Sequence, residues 1–474
     1  MTFSCQTGQV KKSLKYSILD GSAYSAMLGL TQDYIVPFAL ALKATITQVG
    51  LLASLPNLAA SLSQLTAPNL TQRAGSRKAL ILPVVFLHAL MWLPILLIPH
   101  LFPGHKMWWL IGFFTLGTVF GSLGNPAWGS MMAELVPEGM RGRYFGFRGR
   151  ICGLVALVFF LIGGVILHLS ATNIFLGFSV LFGGAMLFRL MSWYFLSKMY
   201  EPPISNTRTE HYGTFHLLKS IGSSNLGRFT IYVSLMNSAA YLASPFFAVY
   251  MLRDLNFDYL TYVAVIATAA TATIMSLTFW GRRADTAGNI KVLKFTSMLI
   301  PLVPLLWVGS HQLYYLIPVQ VLSGFAWAGF NLASINFLYD ASPPEKRTHY
   351  IAVFNALNGS AICLGALLGG YLASHLPPLF GYQLLTLFLV SGLLRGLIAV
   401  TLLRHISEVR QVPETNTAEL LLGRLNFTGA RVRIIPQLVF YAMLRFNAEK
   451  TPKTSRLTST WWHELNVPSR APPL

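Results

Sequence analysis

The chain is organised by long runs of apolar residues that are separated by short polar or basic segments. A helix needs about 20 mostly apolar residues to cross the hydrocarbon core of a bilayer. These runs are continuous rather than alternating with period two, so they predict membrane helices and not a membrane β-barrel. Twelve stretches have the required length, and we number them span 1 to span 12: 16–41, 46–67, 79–101, 107–133, 145–169, 173–197, 227–252, 259–280, 292–310, 313–339, 350–375 and 381–403.

The composition agrees with this prediction and excludes several other classes of protein. Hydrophobic residues make up 54% of the 474 positions and charged residues only 11%, whereas soluble domains are about 25% charged. The mean hydropathy of +0.55 excludes a soluble enzyme, a secreted scaffold and a disordered chain. Cys5, Cys152 and Cys363 are too scattered for a disulfide framework or a zinc site. We find no catalytic set and no metal-ligand set, so we expect a protein that is not an enzyme and holds no cofactor.

The basic residues predict how the spans are oriented. With the N-terminus in the cytoplasm, 30 of the 35 Lys and Arg residues fall on the cytoplasmic side, as the positive-inside rule requires. The outer loops keep Lys43, Lys106 and Arg253, while Arg189 and Arg395 lie inside spans. The net charge of +19 therefore reports topology, and no nucleic-acid partner is needed to explain it. We predict a multi-pass protein of the plasma (inner) membrane, monomeric, with both termini cytoplasmic and no cleaved signal peptide.

The two halves of the chain are similar to each other. At an offset of 206 positions, residues 124–146 align with 330–352, and the same register continues without a gap to Arg189 and Arg395. Such agreement from span 4 to span 6 indicates an internal duplication. The matched pairs include Asn125/Asn331, Glu134/Asp340 and Arg141/Arg347. We therefore divide the chain into a six-helix bundle, a cytoplasmic central loop, a second six-helix bundle and a basic cytoplasmic tail, at residues 1–197, 198–226, 227–404 and 405–474.

The loops after spans 2 and 8 also correspond, at an offset of 213 positions. The second copy runs from Gly281 through Asp285 to Gly288, a Gly-x-x-x-Asp-x-x-Gly pattern with basic residues. The first copy is degraded, with Pro68 and Gln72 in place of the opening glycine and the acid. Twelve spans, a six-plus-six repeat and this paired loop resemble the major facilitator superfamily. The resemblance covers about residues 16–404.

The resemblance implies an all-α transporter with two six-helix bundles around a central cavity, which opens alternately to the two sides of the membrane. The acid-x6-Arg spacing from Glu134 to Arg141 and from Asp340 to Arg347 is similar to the paired salt bridges of the superfamily. A role in anchoring helix ends is the alternative for these residues, and snorkelling towards the interface is the alternative for the two arginines inside spans. The gating or salt-bridge candidates are Arg73, Gly75, Arg77, Glu134, Arg141, Arg189, Asp285, Gly288, Asp340, Arg347 and Arg395.

Substrate and coupling candidates come from spans 1, 4, 7 and 10, which line the cavity in the family. Asp33 is the most informative, because a carboxylate inside a span is costly unless it is protonated, paired or hydrated. It suits proton coupling or a cationic substrate, and a hydrogen-bonded place beside Gln32 or Tyr34 at the outer interface is the alternative. Asp20 is expected to cap its helix or to pair with Lys15. The candidates are Tyr24, Gln32, Asp33, Asn125, Trp128, Asn237, Tyr241, Trp327, Asn331 and Asn336, of which Asn125 and Asn331 also suit interhelical hydrogen bonding.

The sequence therefore predicts transport of a small solute, either facilitated or driven by a proton or sodium gradient, because no ATP-binding motif is recognisable. A drug or organic-cation efflux antiporter is one alternative. Span 5 lacks the glycine-plus-proline pattern of many such antiporters, since residues 153–167 contain no proline. A membrane receptor or scaffold that binds a ligand without moving it is the alternative from another class.

Overall fold

The computed structural model describes residues 2–102, 104–136, 141–202, 224–342 and 347–410, without the side chains of 2–7, 68, 141–143, 347–349 and 352. In this described part the regular structure is helical, apart from one isolated β-bridge between Leu379 and Tyr382. Most of the predicted central loop and the tail after residue 410 lie outside it. The division of the chain into 1–197, 198–226, 227–404 and 405–474 therefore stays a prediction.

Each predicted span corresponds to one long helix or to consecutive shorter ones. In the first half, span 1 is Thr2–Thr31 with Ile35–Ala41, span 2 is Ile46–Ala74, span 3 is Arg77–Leu101, span 4 is Lys106–Leu123 with Asn125–Leu135, span 5 is Arg141–Leu169 and span 6 is Ile174–Ser197. In the second half, span 7 is Asn225–Tyr241, Ser244–Val249 and the π-turn Tyr250–Asp254, span 8 is Tyr259–Ala287, span 9 is Asn289–Leu299 with Leu302–Gly309, span 10 is Leu313–Ala341, span 11 is Arg347–His375 and span 12 is Gln383–Leu402.

Ten of the described helical segments are long and apolar enough to cross a membrane. Spans 1 and 2 have the length but carry more polar residues, such as Asp33 and Asn57, and are not among the ten. Both lie against several neighbours, since span 1 packs on spans 5 and 6, and span 2 packs on spans 4 and 11. The predicted all-helical layout of two six-span repeats is confirmed.

Local sequence signals set several helix ends. Thr45 begins span 2 with a capping box, in which its hydroxyl accepts from the Gln48 backbone and the Gln48 side chain accepts from the Thr45 backbone. Gly75 ends the same span with a left-handed φ of 66°, which a glycine adopts without steric cost. Ser76 then caps span 3 by accepting from the Ala79 N–H at 3.1 Å. The loop after span 2 is therefore a tight turn, and Gly75 is needed there for its left-handed backbone conformation.

The two halves pack their spans in the same pairs. In the first half, span 1 packs on spans 5 and 6, span 4 on spans 2 and 3, and span 3 on span 6. Each pair recurs six spans later, with span 7 on spans 11 and 12, span 10 on spans 8 and 9, and span 9 on span 12. Glycines allow the close approach, as Gly29 lies against the Ala156 carbonyl and Gly365 lies against the Ser238 carbonyl. The sequence duplication therefore extends to the packing.

The halves contact each other mainly where span 2 meets span 11 and where span 5 meets span 8. One hydrophobic core at one end of the bundle contains residues from both halves, among them Phe160 and Val263. The other two described cores each contain residues of a single half, within 10–200 and within 226–406. We call the end with the shared core, near His168 and Asp258, the closed end, and the opposite end, near Arg77, the basic end. The halves thus share a core at the closed end and have separate cores at the basic end.

Candidate functional site

Spans 1 and 7 are interrupted at corresponding places towards the closed end. The break in span 1 is at residues 32–34, and the break in span 7 is at residues 242–243. Interrupted helices at matching positions of two repeats mark the binding region of many transporters. At the first break, the backbone oxygen of Asp33 accepts a hydrogen bond from the hydroxyl of Tyr262 in span 8 at 2.7 Å. The break therefore lies where the two halves meet.

The Asp33 carboxylate lies deep among protein atoms and still has a large accessible surface. Tyr241 and Tyr262 are within electrostatic range of the carboxylate. No described side chain donates a hydrogen bond to it. Tyr34 donates instead to the Phe160 carbonyl, and Gln32 is exposed. The described structure therefore contains no hydrogen bond from Gln32 or Tyr34 to this carboxylate, and the role of Asp33 stays a prediction.

A second polar group joins spans 1, 5 and 6 within the first half. Asp20 is buried, and its Oδ1 accepts from the Ser192 hydroxyl at 2.6 Å. Ser192 in turn accepts from an Arg189 terminal nitrogen at 3.1 Å. A terminal nitrogen of Arg148 lies 3.8 Å from the other Asp20 oxygen. The expected pairing of Asp20 with Lys15 is therefore wrong, because Lys15 is exposed and Asp20 faces the interior.

Two predicted substrate candidates stack on these arginines. The guanidinium carbon of Arg189 lies 4.5 Å from the ring centre of Tyr24, and that of Arg148 lies 4.6 Å from the ring centre of Trp128, both within cation–π range. Arg189 is only 5% exposed. Its repeat partner Arg395 is buried as well and donates to span 7 backbone carbonyls, one of them at 3.2 Å. Neither arginine snorkels to an interface.

The other candidates of the cavity spans are not joined in one cluster. The Asn237 amide donates to the Asn358 side chain of span 11 at 2.8 Å and so stabilises packing within the second half. Asn125 and Asn331 are exposed, and neither hydrogen bonds with a described side chain, which does not support a role as interhelical hydrogen-bonding residues. Trp327 and Asn336 are half-buried on span 10. The substrate role of each of these residues stays a prediction.

At the basic end, Arg77 links the start of span 3 to the ends of spans 4 and 6. Its guanidinium pairs with both carboxylate oxygens of Glu134, one of them at 3.0 Å. Its backbone N–H donates to Glu201 at 2.6 Å, and the Ser76 hydroxyl donates to the same carboxylate at 2.6 Å. The predicted pair of Glu134 with Arg141 stays a prediction, because the Arg141 side chain is outside the described residues. The observed partner of Glu134 is the first residue of the span 3 helix.

The second half has a matching hydrogen bond from a helix N-terminus to a glutamate, but the cation that pairs with its acidic residue comes from a different position in the chain. Ile290, which stands 213 positions after Arg77, donates its N–H to Glu408 at 2.8 Å. No arginine stands at position 290, and Arg410 fills the role by approaching Asp340 at 2.7 Å and Asp285 at 3.7 Å. Residues that directly follow span 12 therefore complete this end of the second half.

The remaining gating candidates have simpler surroundings. Gly288, like Gly75, has a positive φ, at 91°, and serves the turn between its two helices. Arg73 is exposed. The Arg347 side chain lies outside the described positions, so its pairing with Asp340 stays a prediction.

Two polar contacts cross between the halves at the closed end. One is the hydrogen bond from Tyr262 to Asp33, and the other joins His168 Nδ1 of span 5 to Asp258 Oδ2 at 3.5 Å. Asp258 also caps span 8, because it accepts from the Thr261 N–H at 3.1 Å. Hydrogen bonding from Thr261 is the main reason that the pKa of Asp258 lies below its usual value, and His168 adds to the effect. Asp258 is thus ionised at neutral pH and available to His168.

Replacing Arg77 by Gln is expected to lower the free energy of unfolding by about 1–3 kcal/mol, because the change removes a charge-assisted pair and leaves part of the Glu134 carboxylate unsatisfied. Glu134 is 34% exposed, so water offsets part of the loss. The measurement is thermal or denaturant unfolding of the detergent-purified chain. Arg73→Gln is the matched control and should change stability by less than about 0.5 kcal/mol. Equal effects of the two variants would show that the pair contributes nothing.

The family model for the Major Facilitator Superfamily matches residues 18–300 and 231–457. A Geobacillus stearothermophilus protein described as an uncharacterised protein in the sodM 3′ region is 31% identical over 121 residues, which are 24% of this chain and 55% of that protein. The chain thus matches about half the length of this curated relative.

Solved structures share the fold. The nucleoside transporter NupG superimposes with a TM-score of 0.61 at 14% identity, over 84% of this chain and 98% of that one. The xylose transporter XylE from E. coli, in a partially occluded inward-open conformation, gives a TM-score of 0.62 at 11% identity, over 86% and 100%. A bacterial homologue of the human lysosomal transporter Spinster, inward-facing and unoccupied, gives 0.57 at 13% identity, over 85% and 99%. At these identities the likeness shows the fold alone.

Proposed function

The chain belongs to the Major Facilitator Superfamily, and we infer from this membership and from its structure that it moves a small solute across a membrane by alternating access. The observation that carries the inference is the difference between the two ends. A core shared by both halves closes one end, while each half has its own core at the other. A transporter of this kind opens its central cavity to one side at a time. The protein is accordingly a transporter and not an enzyme.

We propose that the basic end faces the cytoplasm, because positively charged loops stay on that side of the membrane. The structure then corresponds to an inward-facing state. The separate cores of the two halves at the basic end support this proposal. A monomer in the plasma (inner) membrane is part of the same proposal.

The coupling proposal rests on Asp33. An accessible carboxylate without a described hydrogen-bond donor, at the junction of the two halves, is suited to bind and release a proton as the cavity changes sides. At the helix break it is within electrostatic range of Tyr241 of the opposite half. Sodium binding at the same carboxylate is the other coupling mode to test.

The transport proposal is tested without knowing the solute in advance. The purified full chain is screened by thermal shift against sugars, nucleosides, amino acids, organic anions and lipophilic cations, because a ligand at 100 times its dissociation constant stabilises the folded state by about 2.7 kcal/mol. Each hit is then tested for counterflow into sealed proteoliposomes that contain the same solute. Exchange across the membrane is expected. A ligand that binds and is never exchanged would contradict transport and favour a receptor or scaffold.

Replacing Asp33 by Asn is expected to abolish accumulation driven by a proton gradient while counterflow of the same solute persists, because counterflow needs no net proton movement. Proteoliposome uptake at several external pH values measures both activities. Asp33→Glu is the matched control and should retain pH dependence. An Asn variant with the pH dependence of the parent would show that Asp33 is not the coupling residue.

A further inference from the structure

The polar group of spans 1, 5 and 6 contains more positive than negative charge. Asp20 is the one described carboxylate near it, and it faces two guanidinium groups, Arg148 and Arg189. The other groups in electrostatic range are the hydroxyls of Tyr24 and Tyr144, the thiol of Cys152 and the ring of His88. An excess positive charge within a span is costly unless an anion accompanies it.

Several hydrogen-bond donors of this group are unused. Arg148 donates from Nε to the Ser17 carbonyl at 3.1 Å, while its nearest approach to Asp20, at 3.8 Å, is too long for a hydrogen bond. Its two terminal nitrogens therefore donate to no described residue. The buried Nε of Arg189 also lacks a partner in the described structure. Buried donors of this kind normally have one.

The Arg148 guanidinium is held in place and remains accessible. Its side chain is 18% exposed, its face stacks on Trp128, and a terminal nitrogen lies over Gly21, where a Cβ would come within 2.5 Å of it. Arg148 stands seven residues after the start of span 5, so it lies about 10 Å along the helix from the basic end. That is the end at which the two halves have separate cores.

We propose that Arg148, backed by Arg189, binds an anionic group of carboxylate or phosphate geometry on the transported solute. A planar guanidinium with two free terminal nitrogens matches such a group in a bidentate manner. The bound anion balances the second positive charge, which Asp20 alone does not. This inference rests on the proposed transport function and assigns the solute to the class of organic or inorganic anions.

Thermal unfolding of the full chain in phosphatidylcholine nanodiscs tests the subsite, with sodium phosphate or sodium succinate compared with sodium chloride at constant ionic strength. Both probe anions are expected to raise the unfolding temperature of the parent protein. Arg148→Gln should weaken the apparent affinity about tenfold or more, since it removes charge-assisted hydrogen bonds. The matched control is Arg150→Gln, which makes the same charge change at an exposed position on the same helix and should bind like the parent.

Arg148→Lys keeps the charge but loses the planar fork, so it addresses the subsite even if the Gln variant does not fold, and it too should bind the anions more weakly. Absence of any anion-dependent shift in the parent, or an unchanged shift in Arg148→Lys or Arg148→Gln, would overturn the subsite. A shift produced only by adding phosphatidylglycerol to the nanodiscs would overturn it in favour of a lipid headgroup.

The outcome is separable from that of the transport proposal. If a neutral or cationic solute shows counterflow that Arg148→Gln leaves intact, this inference fails and transport stands. If no solute of any class shows counterflow, the transport proposal fails whatever binds at Arg148.

Discussion

Cross-linking of cysteines introduced by His168→Cys and Asp258→Cys is expected to stop solute counterflow, and cleavage of the cross-link should restore it. The two native side chains approach to 3.5 Å across the closed end, one from each half. Alternating access requires this end to open, so a covalent link between the halves blocks every transport cycle. A short bis-thiosulfonate reagent spans the gap and is released by a reductant. The background carries Cys5→Ser, Cys152→Ser and Cys363→Ala, which remove the native thiols.

A cross-link within one half provides the control. Asp258→Cys together with Thr261→Cys places both thiols at the start of span 8, where a link does not restrain the two halves relative to each other. This variant should keep its counterflow after treatment. Full activity of the cross-linked His168/Asp258 variant would contradict a closed end that must open, and with it the alternating-access proposal. The native contact between His168 and Asp258 is about half exposed on both side chains and so contributes little to stability, and the cysteine variants should retain activity before treatment.

The fold could be predicted from the sequence because its two main signals are local or repeated. Continuous apolar runs mark the spans, and the gap-free match of residues 124–146 with 330–352 marks the duplication. The breaks in spans 1 and 7 were not predicted, because each falls inside a stretch that is apolar enough overall to indicate a single span. At the first break, the Asp33 backbone oxygen accepts a hydrogen bond from Tyr262 of the opposite half, and the sequence does not reveal this contact.

The candidate site was predicted less completely, since its pairs join positions far apart along the chain. Arg148 lies near a span end and was counted among the cytoplasmic charges, whereas the structure places it beside Asp20, 128 positions earlier. Glu201 and Glu408 were missed for the same reason, although their matching places after spans 6 and 12 could have indicated a shared role. Tyr24 and Trp128 were identified as aromatic candidates, but only the fold shows that each stacks on an arginine.

The acid-x6-Arg spacing shows that a local pattern does not reveal partners from distant parts of the chain. The spacing favours a pair between Glu134 and Arg141, which are close in sequence. In the fold, the start of span 3 brings Arg77 to Glu134, while the pair of Glu134 with Arg141 stays a prediction. In the second half the same acid position, Asp340, contacts Arg410 from beyond span 12. In both repeats the acidic residue at the end of the span pairs with an arginine, but the two arginines come from different parts of the chain.

Replacing Gly365 by Ala is expected to destabilise the second half strongly, because spans 7 and 11 approach closely at this residue. A Cβ at Gly365 would meet the backbone carbonyl of Ser238, which is fixed within its helix and cannot rotate away. The two helices must then separate, at a cost of about 1–3 kcal/mol in the free energy of unfolding or more. The higher helix propensity of Ala offsets up to about 1 kcal/mol of this cost. Thermal unfolding of the detergent-purified chain measures the net change.

The same substitution at Gly149 isolates the packing contribution. Gly149 lies in the helix of span 5, and a Cβ there would have no neighbour within 4 Å. Gly149→Ala therefore changes helix propensity alone and should leave the unfolding temperature unchanged or raise it. If both alanine variants behaved alike, the close contact between spans 7 and 11 would not be what requires a glycine at position 365. If only Gly365→Ala is destabilised, the difference in stability between the two alanine variants measures how much the close approach of spans 7 and 11 stabilises the bundle.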